Sequence, residues 1–70
     1  KMKLTQEIEA TLIHGTTGQE ISEDTLDAGT EIKNVESEEM QFSTKWTFLA
    51  PSESGQWFKY ESYTEPRYEA

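Results

Sequence analysis

Carboxylates are the most concentrated chemical groups in this sequence. Residues 20–39 hold eight acids and one base, Lys33, and so carry seven (8 − 1) of the chain's eight net negative charges. The acids of this segment are Glu20, Glu23, Asp24, Asp27, Glu31, Glu36, Glu38 and Glu39. Carboxylates at this density can accept hydrogen bonds from lysine and arginine, bind cations or move protons. The other fifty residues nearly balance, with six acids against five bases.

The sign of this charge restricts the possible partners. A field of one sign attracts basic partners and repels nucleic acid and anionic lipid. Direct binding to nucleic acid depends on lysine and arginine, and this chain has six basic residues against fourteen acidic ones. We therefore expect a basic protein surface as partner, with no direct contact to nucleic acid or membrane. On an extended chain Glu36 and Glu38 would project to one face about 6.6 Å apart, a spacing suited to a row of lysines or arginines that normally holds a phosphate backbone.

The remaining reactive groups do not form a catalytic pattern. His14 is the only histidine and cysteine is absent, so a nucleophile–base pair would need a serine or threonine beside His14. We expect an exposed loop histidine instead. No nucleophile-elbow, phosphate-loop or dinucleotide motif is present. A calcium loop aligned on Gly29 places Leu26 and Ala28 at ligand positions and fails, although loose calcium binding by the acids stays an alternative. We expect no enzyme activity, no catalytic residue, no cofactor and no metal site.

Length and composition indicate one small domain, residues 1–70. A chain this short buries about 60% of its unfolded surface. No disulfide can support it, and the absence of cysteine favours a cytoplasmic location. No apolar run is long enough for a membrane span. Because Lys1 precedes Met2, we interpret Lys1 as an added residue, Met2 as the native start and the chain as a complete small reading frame.

The elements that must position these acids are predicted to be strands. Leu4, Ile8, Ala10 and Leu12 alternate with polar residues, which favours a strand over 3–13. The same spacing of Leu4, Ile8 and Leu12 also fits a helix stripe. We predict a turn at 14–18, a long loop at 19–26 anchored by Ile21 and Leu26, and a turn at 27–29.

Later segments predict further strands. In the strand predicted over 30–36, Ile32 and Val35 have opposite parity, which predicts a bulge or an early end. The clearest strand spans 40–48 and places Met40, Phe42, Trp46 and Phe48 on one face. The remaining predicted elements are a loop at 50–55, a strand at 56–63 with Phe58 and Tyr60 on one face, and an edge or frayed segment at 64–70.

Four or five short antiparallel strands predict a mainly β fold, a small barrel or bent meander. The order of elements resembles an SH3-like small barrel. The run 26–32 (Leu-Asp-Ala-Gly-Thr-Glu-Ile) is similar to the Leu-x-x-Gly-x-x-Ile turn of such barrels, and 55–58 (Gly-Gln-Trp-Phe) is similar to the entry of a late strand. The resemblance implies that 14–25 takes the place of their acidic recognition loop. The chain lacks the Ala-Leu-Tyr-Asp-Tyr run, the paired tryptophans and the Pro-x-x-Tyr of peptide-binding members, so their activity is not carried over.

The acidic segment predicts a non-enzymatic interaction protein that docks on a basic partner. In its sharper form this is a nucleic-acid mimic, a phage- or plasmid-type inhibitor that occupies the phosphate-binding surface of a nucleic-acid-binding protein. The plainer alternative is an acidic face that only keeps a small protein dissolved. Two further alternatives are a structural or assembly subunit and an SH3-like peptide-binding module with an aromatic groove. The residues of that groove would be Trp57, Tyr60, Tyr63 and Tyr68.

Overall fold

A computed structural model describes all 70 residues and contains seven strands and no helix. The strands are β1 (Met2–Leu4), β2 (Ile8–Ile13), β3 (Glu20–Leu26), β4 (Glu31–Glu39), β5 (Thr44–Pro51), β6 (Trp57–Ser62) and β7 (Tyr68–Glu69). They form one antiparallel sheet in the order β3-β2-β6-β5-β4-β1-β7. The mainly β prediction is confirmed, with more strands than the four or five expected. Since no helix is present, none is available to cross a membrane.

The sheet must be strongly bent to satisfy the chain's connections. β1 and β2 lie four places apart in the strand order, which is about 19 Å across a flat sheet. Only residues 5–7 join Leu4 to Ile8, and a segment of that length reaches about 14 Å at most. The sheet therefore curves, and its inner face encloses a single core. The buried members of this core are Leu4, Ile8, Ala10, Ile32, Phe48, Ala50 and Tyr60.

The alternation over 3–13 is confirmed as strand structure, and the helix alternative is wrong. Ile8 and Ala10 are buried while Glu9 is exposed, as a strand with one face in the core requires. The segment nevertheless forms two strands, because the chain bends at residues 5–7. Gln6, the one residue that breaks the alternation, lies in this bend.

The predicted long loop at 19–26 is wrong, because residues 20–26 form β3. This strand pairs with β2 from Leu26 opposite Ile8 to Glu20 opposite Ile13. The sequence gives no strand signal here because an edge strand can be exposed on both faces, and Ile21 is in fact 58% exposed. The 14–25 segment implied to be a recognition loop is therefore half strand.

The turn predicted at 27–29 is confirmed. Thr30 donates its backbone N–H to the Asp27 carbonyl at 3.1 Å and its hydroxyl to the same oxygen at 2.6 Å. Gly29 adopts a φ of 91°, a region that favours glycine. This turn leads from β3 at one edge of the sheet to β4 near the other, so these consecutive strands are not neighbours.

A bulge interrupts β4 without ending it. Lys33 lies opposite Leu49 and Glu36 opposite Thr47, which leaves one extra residue in β4. Asn34, within the irregular stretch, has a φ of 56°. The predicted bulge is confirmed, and it explains the opposite parity of Ile32 and Val35, since both pack in the core. β4 then continues to Glu39, three residues beyond the predicted end.

The strand predicted at 40–48 begins four residues late. Residues 40–43 form a turn, in which the Met40 N–H donates to the Ser43 carbonyl at 2.8 Å. Met40 is 44% exposed and Phe42 is 91% exposed. The prediction that they share one strand face with Trp46 and Phe48 is therefore wrong. Apolar alternation continues through this turn and hides it from sequence reasoning.

The C-terminal predictions hold with small changes of boundary. β6 lies within the predicted strand at 56–63. Pro51 pairs with Trp57 at the end of β5, so the predicted loop at 50–55 is shorter than expected. The tail supplies β7, which pairs with β1 as an edge strand.

Candidate functional site

An unbroken row of carboxylates and hydroxyls crosses the outer face of the sheet. Residues directly opposite each other on antiparallel strands project to the same face. Glu36 on β4 lies opposite Thr47, which lies opposite Glu61. Glu61 lies opposite Thr11, which lies opposite Glu23 on β3. We call these five residues the acidic row, and its successive glutamates are about 10 Å apart because strands are spaced by about 4.8 Å.

Lys45 shows that the acidic row can hold a cation. Lys45, on β5, lies opposite Glu38 on β4. Glu38 follows Glu36 by two residues. The Lys45 Nζ is 3.5 Å from Glu38 Oε1 and 3.9 Å from Glu61 Oε2. The Glu61 side chain is only 17% exposed, so its charge is less screened by water than that of Glu38, which is 66% exposed.

A second row, parallel to the first, has different chemistry. It runs across successive strands, from Lys33 on β4 to Leu49 on β5 and Lys59 on β6. It continues through Ile13 on β2 to Glu20 on β3. We call it the lysine row. On β5, β6 and β2 it lies two residues from the acidic row, which is about 7 Å along the strand; on β4 and β3 the irregular pairing makes the separation three residues. The Lys33 Nζ is 4.1 Å from the centroid of the Trp57 ring, a favourable cation–π geometry. The outer face is thus divided into an acidic band and a basic, partly apolar band.

The fold divides the acidic segment 20–39 into separate groups. No Cα atom of β3 lies within 8 Å of a Cα atom of β4. Glu23 and Glu36 meet in one row only because β2, β6 and β5 lie between them. Glu38 lies beside that row, and Glu20 ends the lysine row.

The other predicted acids lie outside the acidic row. Asp27 is exposed in the turn before β4. Glu31 lies opposite Lys3 on β1, and Glu39 lies opposite Thr44 next to the β4–β5 turn. Asp24 lies opposite Ala10 and so belongs to the inner face.

Sequence reasoning missed Glu61 as a member of the site. Its outward orientation follows from the alternation of residues 56–63, which was visible in the sequence. Its position between Glu36 and Glu23 depends on the register of four strand pairs, which composition and periodicity do not specify. The density of acids along the chain therefore identified Glu23 and Glu36 at the ends of the row, but not Glu61 at its centre.

Asp24 is placed beside the tyrosine of the core. Tyr60 is 8% exposed, and its ring stacks on Phe48 with centroids 6.1 Å apart. Burial raises the pKa of the Tyr60 hydroxyl above its ordinary value of 10.0, and the negative charge of Asp24 raises it further. The inner face is therefore not wholly apolar at its β3 end.

A groove of about 380 Å³ opens beside Asp24 at the β3 end of the sheet. Glu9, Glu23, Asp24 and Glu61 contribute four carboxylate residues to its lining. Ser62, also in the lining, is buried and already bonded: its hydroxyl donates to the Glu9 carbonyl and accepts from the Thr64 N–H, each at 3.0 Å. No group of three histidine or acidic side chains is placed to hold a metal ion. The four acidic residues give the lining of the groove a negative charge.

The four aromatic residues predicted to form a groove do not share one surface. Tyr60 is buried on the inner face. Trp57 begins β6 on the outer face, and Tyr63, 61% exposed, follows the other end of that strand. Tyr68 lies on β7 opposite Leu4. The structure therefore gives no support to an aromatic peptide-binding groove.

His14 has a local structural role. Its Nδ1 accepts the backbone N–H groups of Thr16 and Thr17, each at 3.2 Å, and so closes the turn before β3. No serine or threonine hydroxyl donates to its ring.

Comparison with known proteins finds no matching family model, curated protein or solved structure. The SH3-like resemblance stays a prediction.

Proposed function

We propose that this protein is a non-enzymatic interaction protein whose acidic row docks on the basic surface of a protein partner. The observation that carries the proposal is the row itself, in which Glu36, Glu61 and Glu23 are spaced by the sheet register. A hydrogen-bonded sheet fixes the positions of their Cα atoms before binding. Less conformational freedom is therefore lost when a complementary row of lysines or arginines binds.

In the sharper form of this proposal, the partner is a nucleic-acid-binding protein and the acidic row occupies its phosphate-binding surface. A phosphate-binding surface presents lysine and arginine side chains that normally replace counterions along a nucleic acid. The acidic row presents negative charge to such a surface in a fixed line. Glu38, two residues after Glu36 on the same strand, adds a second charge about 6.6 Å away along that strand.

Apolar residues close in sequence to these carboxylates contribute the binding affinity that charge alone does not provide. Phe42, 91% exposed, and Met40 lie in the closed turn after β4, close in sequence to Glu38. Charged groups at an interface mainly govern association rate and register, whereas buried aromatic anchors dominate affinity. We propose that Phe42 enters an apolar pocket beside the partner's basic surface.

A pull-down with matched charge reversals tests the proposal. Tagged protein is exposed to a bacterial lysate at about 50 mM and about 500 mM salt, which span weak and strong screening. We expect a basic, nucleic-acid-binding partner that is lost at the higher salt. The triple variant Glu23→Lys/Glu36→Lys/Glu38→Lys should lose this partner. The control changes the net charge equally at exposed acids outside the strands: Glu7→Lys, Glu53→Lys and Glu65→Lys.

The comparison of these two triple variants separates register from net charge. Loss of the partner in the first variant alone supports the acidic row as the docking surface. Equal loss in both would show that only the overall field matters, and retention in both would contradict the proposal. With a partner in hand, Phe42→Ser should weaken binding by about tenfold or more without changing its salt dependence.

A further inference from the structure

The β3 strand has one edge that no other strand covers. It is the first strand in the sheet order, and only β2 pairs with it. Alternate residues of such a strand direct their N–H and C=O groups to the vacant side. The pairing is regular from Ser22 to Leu26, with the irregularity confined to the Ile13 end of β2. About 17 Å of regular edge is therefore available for a further strand.

The opposite edge of the sheet is blunted. β7 has two residues. The chain before it is fixed in place, because the Thr5 N–H donates to the Arg67 backbone carbonyl at 2.9 Å and Pro66 is buried. Proline and short strands are common devices that prevent pairing at an edge. β3 has neither device along its regular part, so the two edges differ in what they can bind.

The charge of β3 indicates what its edge can accept. The strand carries Glu20, Glu23 and Asp24 and no basic residue. Two copies of β3 paired with each other would set like charges against each other, which is destabilising. Glu23 projects to the outer face and Asp24 to the inner face, so a guest strand with two adjacent basic residues would place one beside each acid.

We propose that β3 accepts an extended basic segment of a protein partner as an eighth strand of the sheet. This inference rests on the proposed function and specifies how the partner is held. One basic side chain of the guest extends the acidic row beyond Glu23, and the next lies beside Asp24 on the inner face. Ile21, 58% exposed, offers an apolar contact. Backbone hydrogen bonds then supply affinity, and the alternating side chains supply specificity.

The test uses a synthetic peptide and its backbone-blocked twin. The probe is acetylated and amidated Val-Thr-Arg-Lys-Thr-Val-Thr, and the twin is N-methylated at the three central residues. Both have the same charge, but the twin cannot donate central backbone hydrogen bonds. We expect the probe to bind and to slow amide exchange in β3. The twin should bind about fivefold more weakly or worse, as expected from the loss of the one or two hydrogen bonds that alternate N–H groups of these residues donate to β3.

Two double variants locate the site on the protein. Glu23→Gln/Asp24→Asn removes charge at the β3 edge with little change of shape and should weaken probe binding about tenfold. Glu53→Gln/Glu69→Gln makes the same charge change at exposed acids outside the acidic row, in the β5–β6 turn and on β7, and should leave probe binding within about twofold.

Several results would overturn strand addition. Equal binding of probe and twin would show docking by side-chain charge alone, which leaves the proposed function intact. Slowed exchange at β7 instead of β3, or a greater loss in the Glu53/Glu69 variant, would place the peptide elsewhere. A protein dimer paired through β3 would make a second copy the occupant. Absence of probe binding at low salt would also reject the inference.

Discussion

The two faces of the same strands have different tasks in this protein. On the inner face, Ile32 and Phe48 are each 1% exposed and form the centre of the core. On the outer face, the neighbouring positions carry the acidic row and the lysine row. Because side chains alternate between faces, one residue along a strand separates a position that holds the fold from one that presents charge. Charges on the outer face can therefore be changed with little effect on the core, which makes the proposed function testable.

The largest expected effect comes from emptying the centre of the inner face. Phe48→Ala should reduce the free energy of unfolding by about 3–5 kcal/mol, because it removes a buried aromatic ring and leaves a cavity. The total stability of small domains is commonly about 5–15 kcal/mol, so much of it would be lost. Urea unfolding monitored by tryptophan fluorescence measures the change.

The adjacent outer-face residue provides the control for this comparison. Thr47→Ala, one position away, should cost about 1 kcal/mol or less, as expected for a partly exposed strand residue. Similar losses in the two variants would contradict the division between faces.

The inner face could largely be predicted from the sequence, because burial imposes a period of two on the chain. Ile8 and Ala10 were placed on one face by alternation, and both are buried, whereas Tyr60 was assigned to a candidate binding surface and is buried as well. The same rule misplaced Phe42, because the backbone turns at 40–43 while the apolar pattern continues. It also missed β3, since an edge strand with little burial has no pattern to reveal it.

The acidic row could be predicted only in part. Glu23 and Glu36 were recognised from the density of acids along the chain. That density does not show that three strands separate them, or that Glu61 lies midway. A row across a sheet is a property of register, and register is set by the turns and by the β4 bulge that directly precedes Glu36. Asp27, for example, belongs to the same acid-rich segment of the sequence but lies outside the row.

The next effect concerns the polar end of the inner face and appears at alkaline pH. Folding raises the pKa of Tyr60 above its ordinary value of 10.0, through burial and then through the charge of Asp24. A group that holds its proton more tightly when folded stabilises the fold fully below its unfolded pKa. That stabilisation is lost as pH rises from 10.0 through the folded pKa. Tyr60→Phe should therefore show a smaller loss of stability above pH 10.0 than the parent protein.

A second tyrosine and the neighbouring acid sharpen this test. Tyr63→Phe changes an exposed ring and should keep the parent's alkaline loss. Asp24→Asn removes the charge beside Tyr60, so the tyrosinate absorbance band should appear at lower pH and the loss of stability should shrink. Urea titrations at neutral and alkaline pH measure the stabilities. If the two Tyr→Phe variants behave alike, then Tyr60 is not the group responsible.

The smallest expected effect tests the outer face, where like charges repel along the acidic row. Its glutamates are about 10 Å apart, which equals the Debye length near 0.1 M salt, so added salt should relieve much of their repulsion. We expect the melting temperature to rise by about 3–5 °C between about 50 and 500 mM sodium chloride, as a change of under 1 kcal/mol would give in a domain of this size.

Lys45→Met removes the cation between Glu38 and Glu61 and should enlarge that rise. Lys59→Met, the matched change in the lysine row, should enlarge it less. A melting temperature that does not change with salt in any of these proteins would mean that the row is already neutralised.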